Sequence, residues 1–380
     1  MAHEPTRRYW RSLEEREPGP AFLEAAADEF PPAPEDGSTR YGRRGFLQAA
    51  GFTLAGALSA GCQRAPVRHA LPFGEQPEEV TPGRALWYAS TCGACEAGCG
   101  VLVKARDGRP VKIEGNPDHP LSRGGLCAAG QAAVLGLYDG HRFTGPLRGG
   151  AAATWDEVDA DVLARLAETR ASGGAVRVLS QTITSPALQA AIDRFLSGFA
   201  DGRHVVYDAL SASAVLDAHA RTHGRRVLPR YAFERASVIV GVDADFLGTW
   251  CSPVEHTRGY RDARSLEGDP PRCSYHAQFE GRLSITGTKA DLRVRILPED
   301  EPRVIEQLAA RVAGMGGAAF EARGGTPDVD PAVLDDLARR LWAARGASLV
   351  IAGTPDLATQ VLVNFLNHLL GNSGATVDVD

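Results

Sequence analysis

The 380-residue sequence is poor in lysine and in cysteine: three of its 41 basic residues are lysine (Lys104, Lys112, Lys289), and it has seven cysteines. The lysine shortage carries no functional reading, but the charge balance does. No basic arm or patch stands out, and a net charge of -6 argues against nucleic acid as a partner, because such binding rests on neutralising phosphates. No G-x-G-x-x-G or Walker loop is present to cradle a nucleotide phosphate. No paired nucleophile and base is visible, and no two histidines have helical ligand spacing with a carboxylate partner. Seven thiols cannot all pair within one chain, so a complete disulfide framework is excluded. They also set a ceiling of one cubane cluster, since each takes four thiolates when all ligands are cysteine.

Long apolar runs are missing as well. One uncharged run rich in Ala, Gly and Leu, Phe46 to Gly61, has 16 residues, short of the roughly 20 that cross a bilayer comfortably but suited to the apolar core of an export signal. Arg43-Arg44 immediately precedes it, the twin-arginine signature of export after folding. The run ends in Leu58-Ser59-Ala60-Gly61-Cys62, small residues before a cysteine that is a candidate lipidation site, although serine stands where leucine is usual. Residues 1–40 read as a solvated arm rich in Pro, Glu, Asp and Arg, with one short apolar face, Tyr9, Trp10 and Leu13, able to dock on a partner.

The strongest chemical signal is C-x2-C-x3-C-x27-C, formed by Cys92, Cys95, Cys99 and Cys127. Three thiolates within eight residues need sharp turns, which Gly93, Gly98 and Gly100 allow. Val101 to Ala105 and Val111 to Glu114 read as two strands around an Asp107-Gly108 turn. That hairpin returns the chain toward the first three cysteines and offers Val101, Val103 and Ile113 as apolar shelter. The three-plus-one spacing favours a [4Fe-4S] cluster; a structural zinc site, which usually shows two C-x2-C knuckles, is the competitor.

With KARDGRPVKIEGNPDHP at 104–120 and RGGLCAAG at 123–130, the segment resembles the N-terminal iron-sulfur domain of the molybdopterin oxidoreductase superfamily. More narrowly, Tyr9 to Glu15, the late Arg43-Arg44, Cys62 and Gly83 to Tyr88 resemble the variant-signal branch, the large iron-sulfur subunits of alternative complex III. The resemblance implies partners in a membrane respiratory complex: a further iron-sulfur domain, cytochrome c subunits and an integral membrane quinol-binding subunit. It also implies a periplasmic location, reached by the twin-arginine route and held at the membrane. Two departures from a catalytic molybdenum enzyme matter. Ala129 stands where Lys or Arg commonly separates cluster from pterin, and the chain is short for the family, as though C-terminally truncated. Ser211, Ser213 and Cys251 are the residues that could in principle ligate molybdenum. Helix capping and a structural thiol are their simpler roles, and Cys273, His256 and His276 read as structural too.

The expected organisation is an arm (1–40), a signal or anchor (41–62), a linker (63–84), a β-rich 4Fe-4S domain (85–145) and a parallel-sheet α/β region (146–380). In the last, Thr154 and Glu157 have capping-box spacing ahead of a helix with an apolar stripe of Val158, Val162, Leu163 and Leu166. Strands are expected at 175–179, 205–207, 237–242, 284–286 and 348–352, and helices at 185–199, 212–223, 301–313, 331–345 and 357–370. The functional expectation is an oxidoreductase-family subunit for electron transfer or assembly, holding one [4Fe-4S] cluster, without molybdopterin guanine dinucleotide and not independently catalytic. A catalytic bis-pterin fragment and a scaffold with a merely stabilising cluster are the alternatives.

Overall fold

The computed structural model describes residues 83–267 and 270–379, with Pro20, Glu78, Val80 and Thr81. The chain divides into two units, Met1–Pro72 and Phe73–Asp380, and every described residue except Pro20 belongs to the second. Arg43, Arg44, Cys62 and the Tyr9 to Glu15 stretch lie outside the described residues.

A three-stranded antiparallel sheet comes first: β1 (Ala85–Thr91), β2 (Gly100–Arg106) and β3 (Arg109–Gly115), in that spatial order. The expected hairpin joins β2 to β3. Asp107 and Gly108 both have positive φ, 49° and 74°, as the two-residue turn that matches strand twist requires. Strand alternation puts Val101, Val103 and Ile113 on one face, with Val103 opposite Ile113 and Val101 buried. Trp87, Lys104 and Lys112 are cross-strand neighbours on the other. A five-residue helix, α1 (Ala128–Ala132), and a 3-10 turn (Ala133–Leu137) follow, the turn held to β3 where Tyr138 Oη donates to Pro110 O at 2.6 Å.

After the short hairpin of β4 (Leu147–Arg148) and β5 (Ala151–Ala152) comes α2 (Trp155–Ser172). Its capping box is complete: Thr154 Oγ1 accepts from Glu157 N, and Glu157 accepts from Thr154 N. The expected burial of its stripe is not found, because α2 has no buried residue and Leu163 is 66% exposed. The next unit, β6 (Ala175–Ser180), α3 (Pro186–Leu196) and β7 (Asp201–Val206), is a parallel pair joined by a helix. Parallel strands are usually buried on both faces; here Leu179 and Tyr207 remain 71% exposed.

The main core is built on a second sheet. In chain order come α4 (Ser213–His223), β8 (Arg230–Tyr231), β9 (Val238–Val242), α5 (Pro253–Asp262), β10 (Tyr275–Glu280), α6 (Ile285–Lys289) and β11 (Leu292–Arg295). Then follow α7 (Glu301–Gly316), α8 (Pro331–Ala343), β12 (Ser348–Ala352), α9 (Leu357–Leu369) and β13 (Val377–Asp378). Four parallel strands lie in the order β11-β10-β9-β12. One face packs Val240, Phe279 and Val350 against Ile305, Leu308, Leu337, Leu341 and Leu366; the other packs Ile239, Leu349 and Ile351 against Phe233 and Phe246. Each fully buried side chain of that size contributes about 1.5–3 kcal/mol, so this sheet is the stable frame.

One expected strand is corrected. Ser284 to Thr286 opens α6 instead: Ser284 Oγ accepts from Gly287 N at 2.9 Å, and the strands are β10 and β11 on either side. Among the described residues no helix is long and apolar enough to cross a membrane. A small antiparallel sheet followed by parallel-sheet α/β layers is therefore the architecture, as the sequence indicates.

Candidate metal centre

β1 ends at Thr91 and β2 begins at Gly100, so the loop between two paired strands carries Cys92, Cys95 and Cys99. Cys92 N donates to Cys99 O at 2.8 Å, closing that loop at its base. The glycines divide the work unequally. Gly98 alone of the three takes positive φ, 56°, while Gly93 has open space where a side chain would go. Gly100 is needed for another reason: a Cβ there would come 2.5 Å from the ring of His119.

The fourth cysteine is delivered by the segment after β3. Asn116 N donates to Gly100 O and Gly124 N donates to Asn116 O, both at 2.9 Å, which folds the loop back across the end of β2. Arg123 and Gly124 turn it again, with φ of 43° and 85°. Gly115 must be glycine, since a Cβ would overlap the carbonyl oxygen of Gly124. Cys127 then caps α1, its Sγ accepting from Gly130 N at 3.5 Å. A Cβ on Gly130 would lie 3.6 Å from Cys92 Sγ, so the distant cysteine stands beside the first.

The four thiols are unlike in exposure: Cys99 is buried, Cys92 and Cys127 half-buried, Cys95 exposed. Burial, and then the charges of Cys95, Cys92 and Cys127, push the Cys99 thiol up from its ordinary value. A buried thiol whose ionisation its neighbours oppose suits a cationic core that relieves the repulsion, and four cysteine thiolates are the donor set of a cubane. A [4Fe-4S] core therefore fits these residues. No group of three or more His, Cys, Asp or Glu among the described residues could hold a single metal ion.

The other candidates stand apart from this loop. Ser211 Oγ accepts from Ser213 N at 3.1 Å and donates to Ser213 Oγ at 2.9 Å, ordering the entry to α4. Cys273 is exposed. Cys251, half-buried with φ of 55°, has its thiol pushed up to about 12, by burial first and by Glu96 second. The Glu96 influence sets Cys251 near the cysteine loop. His276 hydrogen bonds to Tyr260 Oη through Nδ1 at 3.2 Å and to Gln278 Oε1 through Nε2 at 3.3 Å. Burial lowers both His256 and His276 to about 4, so both are neutral imidazoles in the core.

A doubly wound sheet offers a second place for a ligand, the crevice at the carboxyl ends of strands where their order reverses, here between β9 and β12. That edge carries Asp243, Asp245, Glu280, Asp300 and Glu301. Asp245 accepts from Thr286 N and Oγ1 at 3.2 and 2.8 Å, and Glu280 from Ser284 Oγ at 2.5 Å and Arg293 Nε at 2.6 Å. Burial and the Asp243 charge raise Glu301 to about 7. Gly353 is pressed against the Asp243 backbone, with no room for a Cβ. Carboxylates thus crowd this edge, with the Arg282 charge acting on Asp243.

Comparison with known proteins agrees with the site. Residues 86–139 match the molybdopterin oxidoreductase Fe4S4 domain. One chain of the sulfite dehydrogenase of Allochromatium vinosum is 39% identical over 99 residues, which are 23% of this chain and 10% of that one. The menaquinone reductase molybdopterin-binding-like subunit of Nitratidesulfovibrio vulgaris is 24% identical over 306 residues, 76% of this chain and 41% of that one. Acetylene hydratase from Pelobacter acetylenicus shares the fold, with a TM-score of 0.52 at 12% identity over 74% of this chain and 42% of that structure. The iron-sulfur segment of the chain is thus of the molybdopterin oxidoreductase kind. The chain spans from about a tenth to two fifths of the length of these relatives.

Proposed function

We propose that this chain is an iron-sulfur electron-transfer subunit of a membrane-bound respiratory oxidoreductase of the alternative complex III kind. Cys92, Cys95, Cys99 and Cys127 would hold one [4Fe-4S] cluster, which supplies one-electron chemistry when bound. The observation that supports the reading is the closed strand-to-strand loop that carries Cys92, Cys95 and Cys99, with the Cys127 cap of α1 beside Cys92. The chain's own part is to exclude water from Cys99 by burial beside Val101, to fix the sulfurs by backbone hydrogen bonds, and thereby to set the potential. The relationship to a menaquinone reductase subunit supports the respiratory setting. Ala129, and the carboxylates at the strand ends, support a chain that binds no pterin dinucleotide and does no molybdenum chemistry.

Arg43-Arg44 and the apolar run after it support twin-arginine export to the periplasmic face, with Cys62 as lipid anchor. The partners in this reading are a quinol-binding membrane subunit, cytochrome c subunits and a further iron-sulfur domain. Iron and sulfide analysis of the complex purified from membranes tests the centre: about four of each per chain, with a visible absorption band, is expected. A colourless protein with one zinc per chain would refute it. Mass spectrometry of the mature chain tests the anchor, which fails if residues 1–61 remain attached.

A further inference from the structure

We infer that His219 and His223 form a binding site for one divalent transition-metal ion that prefers imidazole, of the nickel, copper and zinc class, with each histidine donating through Nε2. The site is separate from the cysteine loop and does not rest on the cluster reading. Three observations carry it. First, both tautomers are set by hydrogen bonds. His219 Nδ1 lies 2.9 Å from Val215 O. A carbonyl oxygen only accepts, so Nδ1 carries the proton and Nε2 of the neutral ring carries a lone pair. His223 reaches the same state by a longer route. Thr222 Oγ1 donates its single hydrogen to Ala218 O at 2.9 Å and accepts from Asn364 Nδ2 of α9 at 2.9 Å. Its remaining partner, His223 Nδ1 at 2.8 Å, is therefore a donor, which leaves the lone pair on His223 Nε2.

Second, the lone pair of His219 is stranded. His219 is 1% exposed, and its Nε2 is buried without a hydrogen-bond partner among the described residues. An unpaired buried acceptor is unfavourable, and a ring placed only for packing would avoid it by being apolar. An ion bound at Nε2 removes the penalty. The bond from Nδ1–H to a backbone carbonyl is also the outer contact that ligating histidines make, because it fixes the tautomer and orients the ring.

Third, the two rings are a pair at ligand spacing. They stand one turn apart on α4, with centres 5.2 Å apart and planes 17° from parallel. Two imidazoles held by one tetrahedral ion at the usual metal–nitrogen distance of about 2.0–2.1 Å have ring centres roughly 5 Å apart. Histidines at i and i+4 are also the spacing by which one helix face grips a metal. His223 is the last residue of α4, where the helix end carries partial negative charge that favours a cation. No third His, Cys, Asp or Glu joins the pair among the described residues. Water then fills the other positions, and the ion exchanges with solvent.

The test uses the full chain in its purified complex, dialysed to equilibrium against nickel(II) alone and, separately, given one equivalent of copper(II) and read by EPR. The expected result is nickel binding about a hundredfold tighter in wild type than in His223→Gln, since two linked ligands outbind one. The copper spectrum should show splitting by two imidazole nitrogens, lost in the same variant. Thr222→Val keeps both ligands but removes the acceptor of His223 Nδ1–H, and should weaken nickel binding by about tenfold. Nickel affinity equal in wild type and His223→Gln means an adventitious ion only and overturns the inference. A wild-type copper spectrum without two nitrogens overturns it as well. His219→Phe should match His223→Gln; should it fail to fold because the ring is buried, the half-buried His223 and Thr222 variants decide. Iron and sulfide measured on the same samples report on the cluster reading, whose failure leaves the comparison of nickel affinities intact.

Discussion

Gly125, two residues before Cys127, faces Val254 of α5 so closely that a Cβ on it would lie 2.6 Å from the valine Cγ1. Nearby, Arg123 Nη2 stands 3.6 Å from Asp262 Oδ2 at the other end of the same helix. The cysteine loop is thus seated directly on the α/β frame, and its geometry depends on that seat.

Gly125→Val should therefore loosen the seat without removing any sulfur ligand. Overpacking of this kind costs about 1–3 kcal/mol. The expected outcome is a lower melting temperature and faster loss of the visible absorption band under chelator. Arg123→Ala, which removes only a half-exposed ion pair, should change stability by less than about 1 kcal/mol.

Replacing Cys127 by Ser should abolish the cluster or leave a three-iron remnant, whereas Cys273→Ser should leave iron content at the wild-type level. Iron-to-protein ratios on the two purified variants provide the check. Equal loss in both would mean that the ligand set is misassigned. Because Cys127 also caps α1 through its sulfur, serine can retain the cap while losing the metal.

Glu301 gives a pH signature. Its carboxyl holds a proton up to about 7 in the folded protein, against an ordinary value of 4.5, through burial and then Asp243. The folded state binds more protons than the unfolded chain between those values, so this group lowers stability as pH rises from 4.5 to about 7, and the penalty persists above 7. Glu301→Gln should be more stable than the parent by about 3 kcal/mol at pH 8 and nearly equal to it at pH 4.5. His256 and His276 act oppositely. With folded values near 4 against 6.5, they bind fewer protons folded than unfolded, and stability rises from pH 4 to 6.5. Urea denaturation at a series of pH values separates the two slopes.

Glu280 is 1% exposed and accepts from Ser284 and Arg293. Its replacement by Ala strands those donors and should cost about 2–3 kcal/mol. If equilibrium unfolding shows Glu280→Ala within about 0.5 kcal/mol of wild type, the caps at this sheet edge are not holding β10 to α6.

What the sequence disclosed was mostly local. The Asp107-Gly108 turn and the Thr154–Glu157 capping box are complete within four residues, so their chemistry could be read without knowing the fold. β10 escaped because its residues, Tyr275 to Glu280, include His276, Gln278 and Glu280, polar groups buried only because Tyr260, Ala244 and Arg293 meet them across the structure. The stripe on α2 has the opposite error: the periodicity is real, but no buried partner covers it. At the site, four cysteines were visible as a pattern, while the need for Gly100 and Gly115 and the place of His119 arise from contacts between segments that spacing does not reveal.

The pair β6 and β7 has one further consequence. With two strands, exposed apolar side chains and a single buried residue in the connecting helix, Leu196, it has little to keep its backbone amides from opening independently of the four-stranded sheet. Hydrogen exchange should show residues 175–206 trading deuterium long before Val238–Val242 or Ser348–Ala352. The molecule is then mechanically graded, with a stiff four-stranded half and, in the same unit, a segment that yields first to heat or protease.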